Sequence, residues 1–409
     1  MGINVGIIVD NDLNSDNRVL KEIESLKNSG YIIHVLCFAF AGKSYIEIPG
    51  VEITRIKIRK RIKDILFFFL NLIPIYEFLW SSEISRFIRT GNIDILHVND
   101  LYMSKASSEG IRKSGRKVKM ILDLHENFPY SITTYNWTKG FFRSMLSQPA
   151  RWKRKEKKYL AYADGIIVLS ESYRDRLTGL YPGIKETPFA IHPNVPDIKS
   201  FYSARGKDGI ININKEAPLL FYYGVIAERR GIFDALDVFA DILKSGIKAG
   251  FLIIGPVDKM DQKRFKSIIT SRELADQVTY IPWIDHGSLA YYLDISDICI
   301  APFLKNPQHE SGVANKIYEY MLGKKPLVVS DCEPQKRLVE ETNCGLVYST
   351  REEFREALIR LINDSELRKT LGESGYKAII SSYNLEKAER NLADFYKIFN
   401  PGELNRIKR

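Results

Sequence analysis

Short β-branched and apolar runs alternate with stretches of helical spacing along almost the whole chain. In the first half the runs are 3–9 (INVGIIV), 31–38, 51–58, 93–98, 118–122 and 165–169. They are nearly continuous in apolar residues, as strands covered on both faces must be. Between the first two, 18–29 carries Val19, Leu20, Ile23 and Leu26 at helical spacing, and Gly30 supplies a stop. A repeated strand–helix unit of this kind dictates a parallel, doubly wound sheet. The pattern breaks at 193–217, where Pro, Gly, Asn and charges dominate. It then restarts at 218–223, 250–255, 278–281, 297–301, 326–330 and 345–348, and ends in one amphipathic helix over 385–399. The expected fold class is therefore α/β, with two Rossmann-like doubly wound domains facing a cleft. The expected boundaries are 1–195, 196–383, and 384–409 for the last helix and a frayed tail. Ligands of such sheets bind outside the carboxyl ends of the strands, where the strand order reverses.

The charge pattern narrows the partners. Of a net charge of +10, residues 55–63 (RIKIRKRIK) carry +6 and 151–158 (RWKRKEKK) carry +5, so the rest of the chain is −1. An anionic partner is then engaged locally, and no nucleic-acid partner is expected, because the basic runs lack interleaved groove-reading motifs. The apolar segment 65–80 contains Asn71, Pro74 and Glu77 and is too short for a span of about 20 residues. It reads either as a buried helix or as one lying in a membrane interface beside the basic run. The first ten residues lack a basic leader region, so no signal peptide is expected. Four scattered cysteines without a CxxC pair speak against a disulfide framework and a cysteine zinc site. The turn after the first strand (DNDLNSDNR) has no GxGxxG, and there is no P-loop, which weakens dehydrogenase and NTPase readings.

Three segments carry chemistry. In 221–236 (FYYGVIAERRGIFDAL) a strand ends at Gly224, a loop presents Arg229 and Arg230, and Gly231 opens a helix. Two guanidiniums at such a loop match the oxygens of a diphosphate, although a solvated surface pair gives the same pattern. In 309–331 (HESGVANKIYEYMLGKKPLVVSD) a small loop of Glu310, Ser311 and Gly312 precedes a helix that begins near Val313–Asn315. Free N–H groups there attract phosphate, while Lys316 is a cation in a first turn that normally disfavours one. Glu319 lies one turn on, placed for a ribose diol or for a local ion pair. In the first domain, HVND (97–100) and LDLHENFP (122–129) put His97, Asn99, Asp100, Asp123, His125 and Glu126 near the carboxyl ends of two adjacent strands. A metal site is possible by composition but lacks any HxH, HExxH or DxD spacing, so none is expected.

These residues resemble the GT-B glycosyltransferases of family four, the retaining nucleotide-sugar enzymes. The likeness lies in Gly224 to Gly231, NKIYEYMLGKKPLVVSD, DNRVLKEIESLKNSGYIIHV, DILHVND, LDLHENFP, VLSESYRDRL and HPNVPD, and it covers nearly the whole chain. It implies that the last helix crosses back to the first domain. It assigns Arg230 and Arg229 to donor phosphates, Glu319 to the nucleotide ribose, and Val313–Lys316 to the diphosphate. His125 falls to the donor sugar, and His97, Asn99, Asp100 and Glu126 to the acceptor side. Two departures stand out: Val225 replaces the family's Arg after the glycine, and the first Glu of the E-x₇-E motif falls on Ser311, one residue from Glu310. The resemblance implies hexose transfer with retention from a UDP- or GDP-sugar, without a metal cofactor. With the basic and apolar segments 55–80 and 151–158, it suggests a lipid-linked or saccharide acceptor at an anionic membrane surface. The enzyme would then be cytoplasmic and peripheral on the inner face, in bacterial surface polysaccharide synthesis. A sugar-nucleotide epimerase and a non-catalytic sugar- or membrane-binding module are the alternatives.

Overall fold

The computed structural model describes all residues except 1, 15, 43, 136, 137, 139, 204–216 and 401–409. The centre of the expected linker and the expected frayed tail therefore lie outside the described residues. The chain divides into two compact units. Unit 1 is Met1–Pro193 together with Ala388–Arg409, and unit 2 is Asn194–Lys387.

Unit 1 is built on seven strands: β1 (Asn4–Ile8), β2 (Ile32–Phe40), β3 (Glu52–Ile58), β4 (Ile95–Asn99), β5 (Lys119–Asp123), β6 (Gly165–Val168) and β7 (Phe189–Ile191). Their order is β3-β2-β1-β4-β5-β6-β7, and every pairing is parallel. The order reverses between β1 and β4, which marks the carboxyl end of that pair as the binding edge. β7 is the strand that the sequence pattern misses: three residues after a proline are too few to show periodicity. β3 alternates exposed and half-buried residues because it is an edge strand with one neighbour.

The first helix runs Asn17–Asn28, with Asp16 capping the Val19 amide, and the chain leaves it through Gly30 at φ +88°. Its buried stripe holds Val19, Ile23 and Leu26 and also Glu22. The last helix, Leu385–Lys397, contributes Leu392, Phe395 and Tyr396 to the core of unit 1, against Val5, Ile7, Ile95, Ile121 and Ile167.

The segment 65–80 does not form one helix. It divides between Lys60–Phe68 and Ile75–Thr90, with a turn over 69–74. Pro74 lacks an amide proton and so starts the second helix instead of continuing the first. The first of these helices buries no residue, while the second buries Tyr76, Trp80, Ile84, Phe87 and Ile88. In place of one helix there are thus two, one that buries no residue and one that packs into the core. Among the described residues, no helix is long and apolar enough to cross a membrane.

Unit 2 holds β8 (Leu219–Tyr223), β9 (Gly250–Ile254), β10 (Val278–Ile281), β11 (Ile298–Ala301), β12 (Leu327–Ser330) and β13 (Gly345–Tyr348). They form a second parallel sheet in the order β10-β9-β8-β11-β12-β13. The order reverses here between β8 and β11. The helix Ile232–Lys244 packs Ile232, Phe233, Leu236, Phe239 and Ile242 into its core.

Candidate functional site

Both reversal points carry unusual polar groups. In unit 2, β8 leads into Gly224, whose φ is +132°. A Cβ there would come within 3.0 Å of Lys316 Nζ, so glycine leaves room for that ammonium. Lys316 is the second residue of the helix Asn315–Leu322 and only 9% exposed. Its Nζ stands 3.7 Å from the Tyr222 ring centre and 5.1 Å from that of Phe303, just beyond β11. Arg230 lies over the same Phe303 ring, its Cζ 5.2 Å from the centre. Among the described residues, neither Lys316 Nζ nor Arg230 Nε has a hydrogen-bond partner. Burial, then the Arg230 charge, holds the Lys316 ammonium well below the usual lysine value. Burial also lowers Arg230, with Arg229 adding to it. A buried ammonium and a half-buried guanidinium thus flank one aromatic ring, an arrangement that suits an anion.

The surrounding groups fit that reading. Arg229 is half-exposed, with Nη1 3.6 Å from Asp258 Oδ2. Glu319 lies one turn beyond Lys316, its Oε1 3.7 Å from His286 Nε2. Gly312 and Val313 are half-buried and Asn315 is exposed at the start of the helix. Two expected donor contacts have other work. Ser311 is fully buried and its hydroxyl donates to the Pro307 carbonyl at 2.6 Å. Glu310 accepts from the Glu333 amide at 3.2 Å, capping the next helix.

Gly231, with φ +69°, closes the arginine loop, and a Cβ on it would lie 1.6 Å from the Pro302 carbonyl oxygen. Gly231→Ala must therefore displace the backbone beside Phe303. We expect a loss of roughly 1–3 kcal/mol or more, read as a lower denaturation midpoint.

In unit 1 the register of β4 and β5 sets Asn99 opposite Asp123. Asp123 is fully buried, and its two oxygens both accept from Arg18 Nη2, at 3.0 and 2.9 Å. Arg18 also donates to the His192 carbonyl at 3.0 Å and pairs with Glu22 at 2.9 Å. His125 Nε2 lies 3.3 Å from Asp123 Oδ2, and its side chain is partly exposed. Burial alone would raise Asp123, but the Arg18 and His125 charges outweigh it and hold it well below the usual carboxylate range. In return, Asp123 overcomes the burial of His125 and lifts its imidazole to about 9. Glu22 is pushed up to about 8 by burial and then by Asp123. Asp100, in the left-handed region at φ +71°, is raised to about 6 by burial. Glu126 accepts from Tyr135 at 2.6 Å.

His125, Asp100 and Glu126 thus stay near one strand edge, as the motif spacing predicts. His97 and Asn99 do not belong to an accessible acceptor site. His97 is the third residue of β4 and fully buried, with Nδ1 2.5 Å from the Tyr396 hydroxyl and Nε2 3.2 Å from Asn99 Oδ1. Asn99 donates to the Ile8 carbonyl. Both residues tie strands and the last helix together, which neighbouring strand pairing makes possible and sequence spacing does not reveal. Glu22, Asp123 and His125 have ligand atoms within 4.8 Å of one another. The Arg18 guanidinium engages both of these carboxylates. Sequence motifs do not single out Arg18, Tyr222 or Phe303. For Arg18 a signal exists, since Arg18 and Glu22 stand four apart beside the apolar stripe of their helix.

Two family descriptions match the chain: Glycosyltransferase Family 4 over residues 17–199 and Glycosyl transferases group 1 over 206–378. The α-D-kanosaminyltransferase of Streptomyces kanamyceticus is 26% identical over 184 residues, 44% of this chain and 46% of that protein. That matched stretch spans about half the length of the curated relative. Among solved structures, sucrose-phosphate synthase from Thermosynechococcus elongatus superposes with a TM-score of 0.72 at 17% identity, covering 97% of this chain and 98% of that one. The Anabaena protein HepE in complex with UDP gives 0.67 at 13% identity, covering 97% and 100%. At these identities the two structures establish likeness of fold.

Proposed function

We infer the reaction from a premise that the two matches supply: the chain belongs to the GT-B glycosyltransferases, Glycosyltransferase Family 4 in its first half and glycosyl transferases group 1 in its second. The reading is transfer of a hexose from a nucleoside-diphosphate sugar to a lipid-linked or saccharide acceptor, with retention at the anomeric carbon. One observation carries it: at the strand reversal of unit 2, the buried Lys316, whose Nζ has no hydrogen-bond partner among the described residues, shares the Phe303 ring with the half-buried Arg230. A diphosphate supplies the missing charge, and Arg229 is a third cation beside it. Glu319 accepts from the ribose hydroxyls, and His125 acts on the reacting sugar.

In this reading the bond from the anomeric carbon to the leaving phosphate oxygen breaks. The acceptor hydroxyl forms its new bond on the same face, and its proton passes to the departing phosphate. The side-chain cations stabilise the charge that grows on the diphosphate, and no metal takes part. The kinship to a UDP-bound structure makes UDP-sugars the first donors to test. A lipid-linked acceptor, an anionic membrane and a role in bacterial surface polysaccharide synthesis are parts of the same proposal, supported by the basic segments at 55–63 and 151–158.

The test is nucleotide release from a panel of UDP- and GDP-sugars, with and without membrane lipid extract. Release that needs the extract and survives EDTA is expected. Glu319→Ala and Arg230→Ala should each lower turnover roughly 10²–10³-fold while remaining folded. No release from any donor would sink the transfer reading, and turnover of UDP-GlcNAc without acceptor would favour an epimerase.

A further inference from the structure

Unit 1 exposes apolar residues in two places far apart in sequence. Of eighteen large hydrophobics exposed over the described residues, ten lie within 62–78 or 141–146, so these are not scattered singly. The helix Phe141–Ser147 buries only Ser147, leaving Phe141 78%, Phe142 73% and Met145 53% exposed. In the other segment Ile62 and Ile65 are exposed on the first helix and Leu72 and Ile73 in the turn after it.

Asn71 joins the two segments. Its Nδ2 donates to the Ser147 carbonyl at 2.8 Å and the Gln148 carbonyl at 3.1 Å. Its own carbonyl accepts from Arg151 Nη1 at 3.0 Å, and its Oδ1 from Lys155 Nζ at 2.7 Å. The turn, the short helix and the basic helix Arg151–Leu160 are therefore held as one body. Beside Asn71, Leu72 and Pro74 border a cavity of about 290 Å³ whose other wall carries Lys105, Lys155 and Lys158. Lys105 is bound to Glu77, while Lys158 is exposed. On the basic helix, Arg151, Lys153, Arg154 and Lys157 face solvent, and its one acid, Glu156, is buried.

Apolar tips standing beside a surplus of exposed cations match the two layers of a lipid interface: acyl chains and anionic headgroups. We propose that this face docks on an anionic bilayer, with Phe141, Phe142 and Met145 inserted among the lipids and the lysine-lined cavity receiving a lipid phosphate. The proposal deepens the membrane reading above and adds an element, 141–147, that the basic segments do not contain. A protein partner would fit the apolar tips but leaves the exposed cations of the basic helix, Lys158 at the cavity among them, unexplained.

The experiment is co-sedimentation of the full chain with vesicles of phosphatidylcholine alone or mixed with phosphatidylglycerol. Binding should require the anionic lipid and weaken with salt. The double variant Phe141→Ser/Phe142→Ser should bind about tenfold or more weakly, with unchanged circular dichroism. Lys158→Glu should reduce the preference for anionic vesicles. Phe141→Trp should add emission that shifts to the blue on binding and is quenched by brominated acyl chains. Equal binding to neutral vesicles, wild-type binding by the double variant, or an unshifted emission from the introduced indole in the vesicle-bound protein would overturn the proposal. Because these readouts need no turnover, their failure leaves hexose transfer standing, and failure of nucleotide release leaves the docking standing.

Discussion

Lys316→Met will raise the melting temperature of the protein while its turnover falls roughly 10²–10³-fold. The two effects have one cause. In the free protein Lys316 places an ammonium among Tyr222, Phe303 and Arg230, with no hydrogen-bond partner for Nζ among the described residues. Burial already pushes that ammonium toward its neutral form. Methionine is similar in length, keeps the aromatic contacts and removes the desolvation cost, so a gain of ~1–2 kcal/mol is expected. For a unit of this size that is about 2–8 °C in Tm. The same change removes a charge from the proposed diphosphate site, where a low-dielectric setting makes each cation count for more. Calorimetry and nucleotide release on the same preparation check both halves. A destabilised Lys316→Met would mean that the ammonium has a partner in the free protein, and full turnover would remove Lys316 from the site.

Asp123→Asn will have the largest effect on stability, a loss of about 3–5 kcal/mol, because it strips His125 of its carboxylate and leaves Arg18 with Glu22 alone in unit 1. The pH dependence follows from the same cluster. His125 rises from 6.5 to about 9 on folding, so its contribution is complete below 6.5 and fades as the pH climbs through 9. Glu22 rises from 4.5 to about 8, so it too favours the fold at lower pH and costs stability as the pH passes through 8. His97 and His192 fall to about 4 and about 3, so their contribution is present above 6.5 and lost as the pH drops toward 4. Asp123, held low, acts in the same direction further into acid. Below pH 6.5 His97 and His192 lose their contribution, and above it His125 and Glu22 lose theirs, so stability should peak near pH 6.5. In Asp123→Asn, the His125 imidazole should titrate nearer its ordinary value, visible in the shift of its ring protons. A His125 that still titrates near 9 in that variant would show that another group sets its charge.

How far these groups can be read from the sequence depends on whether their chemistry is local. Arg229, Arg230, Lys316 and Glu319 belong to two contiguous segments whose loop-then-helix pattern shows in the residue order, so the proposed donor side is legible there. Ser311 and Glu310 sit in the same segment, yet their hydrogen bonds are not legible there, because a bond to the Pro307 carbonyl or from the Glu333 amide depends on how the loop folds back. His97 reads as a site residue for want of one fact: Tyr396, 299 residues away, takes up its Nδ1. The apolar segment 65–80 reads as one helix because hydropathy does not register the stop that Pro74 imposes.

The sequence by itself determined the two parallel sheets and all their strands but β7, since period and run length are properties of neighbouring residues and survive without a partner. It also determined where the net charge lies. Only the tertiary structure decided which charges have counterions. Arg18 meets Asp123 across 105 residues, while Lys316 and Arg230 meet aromatic rings. Likewise, Asn71 brings residues 62–73 and 141–146 together across some seventy positions. Burial and pairing are set by contacts distant in sequence, and in a low-dielectric interior those contacts fix whether a charge is a structural tie or an open binding site.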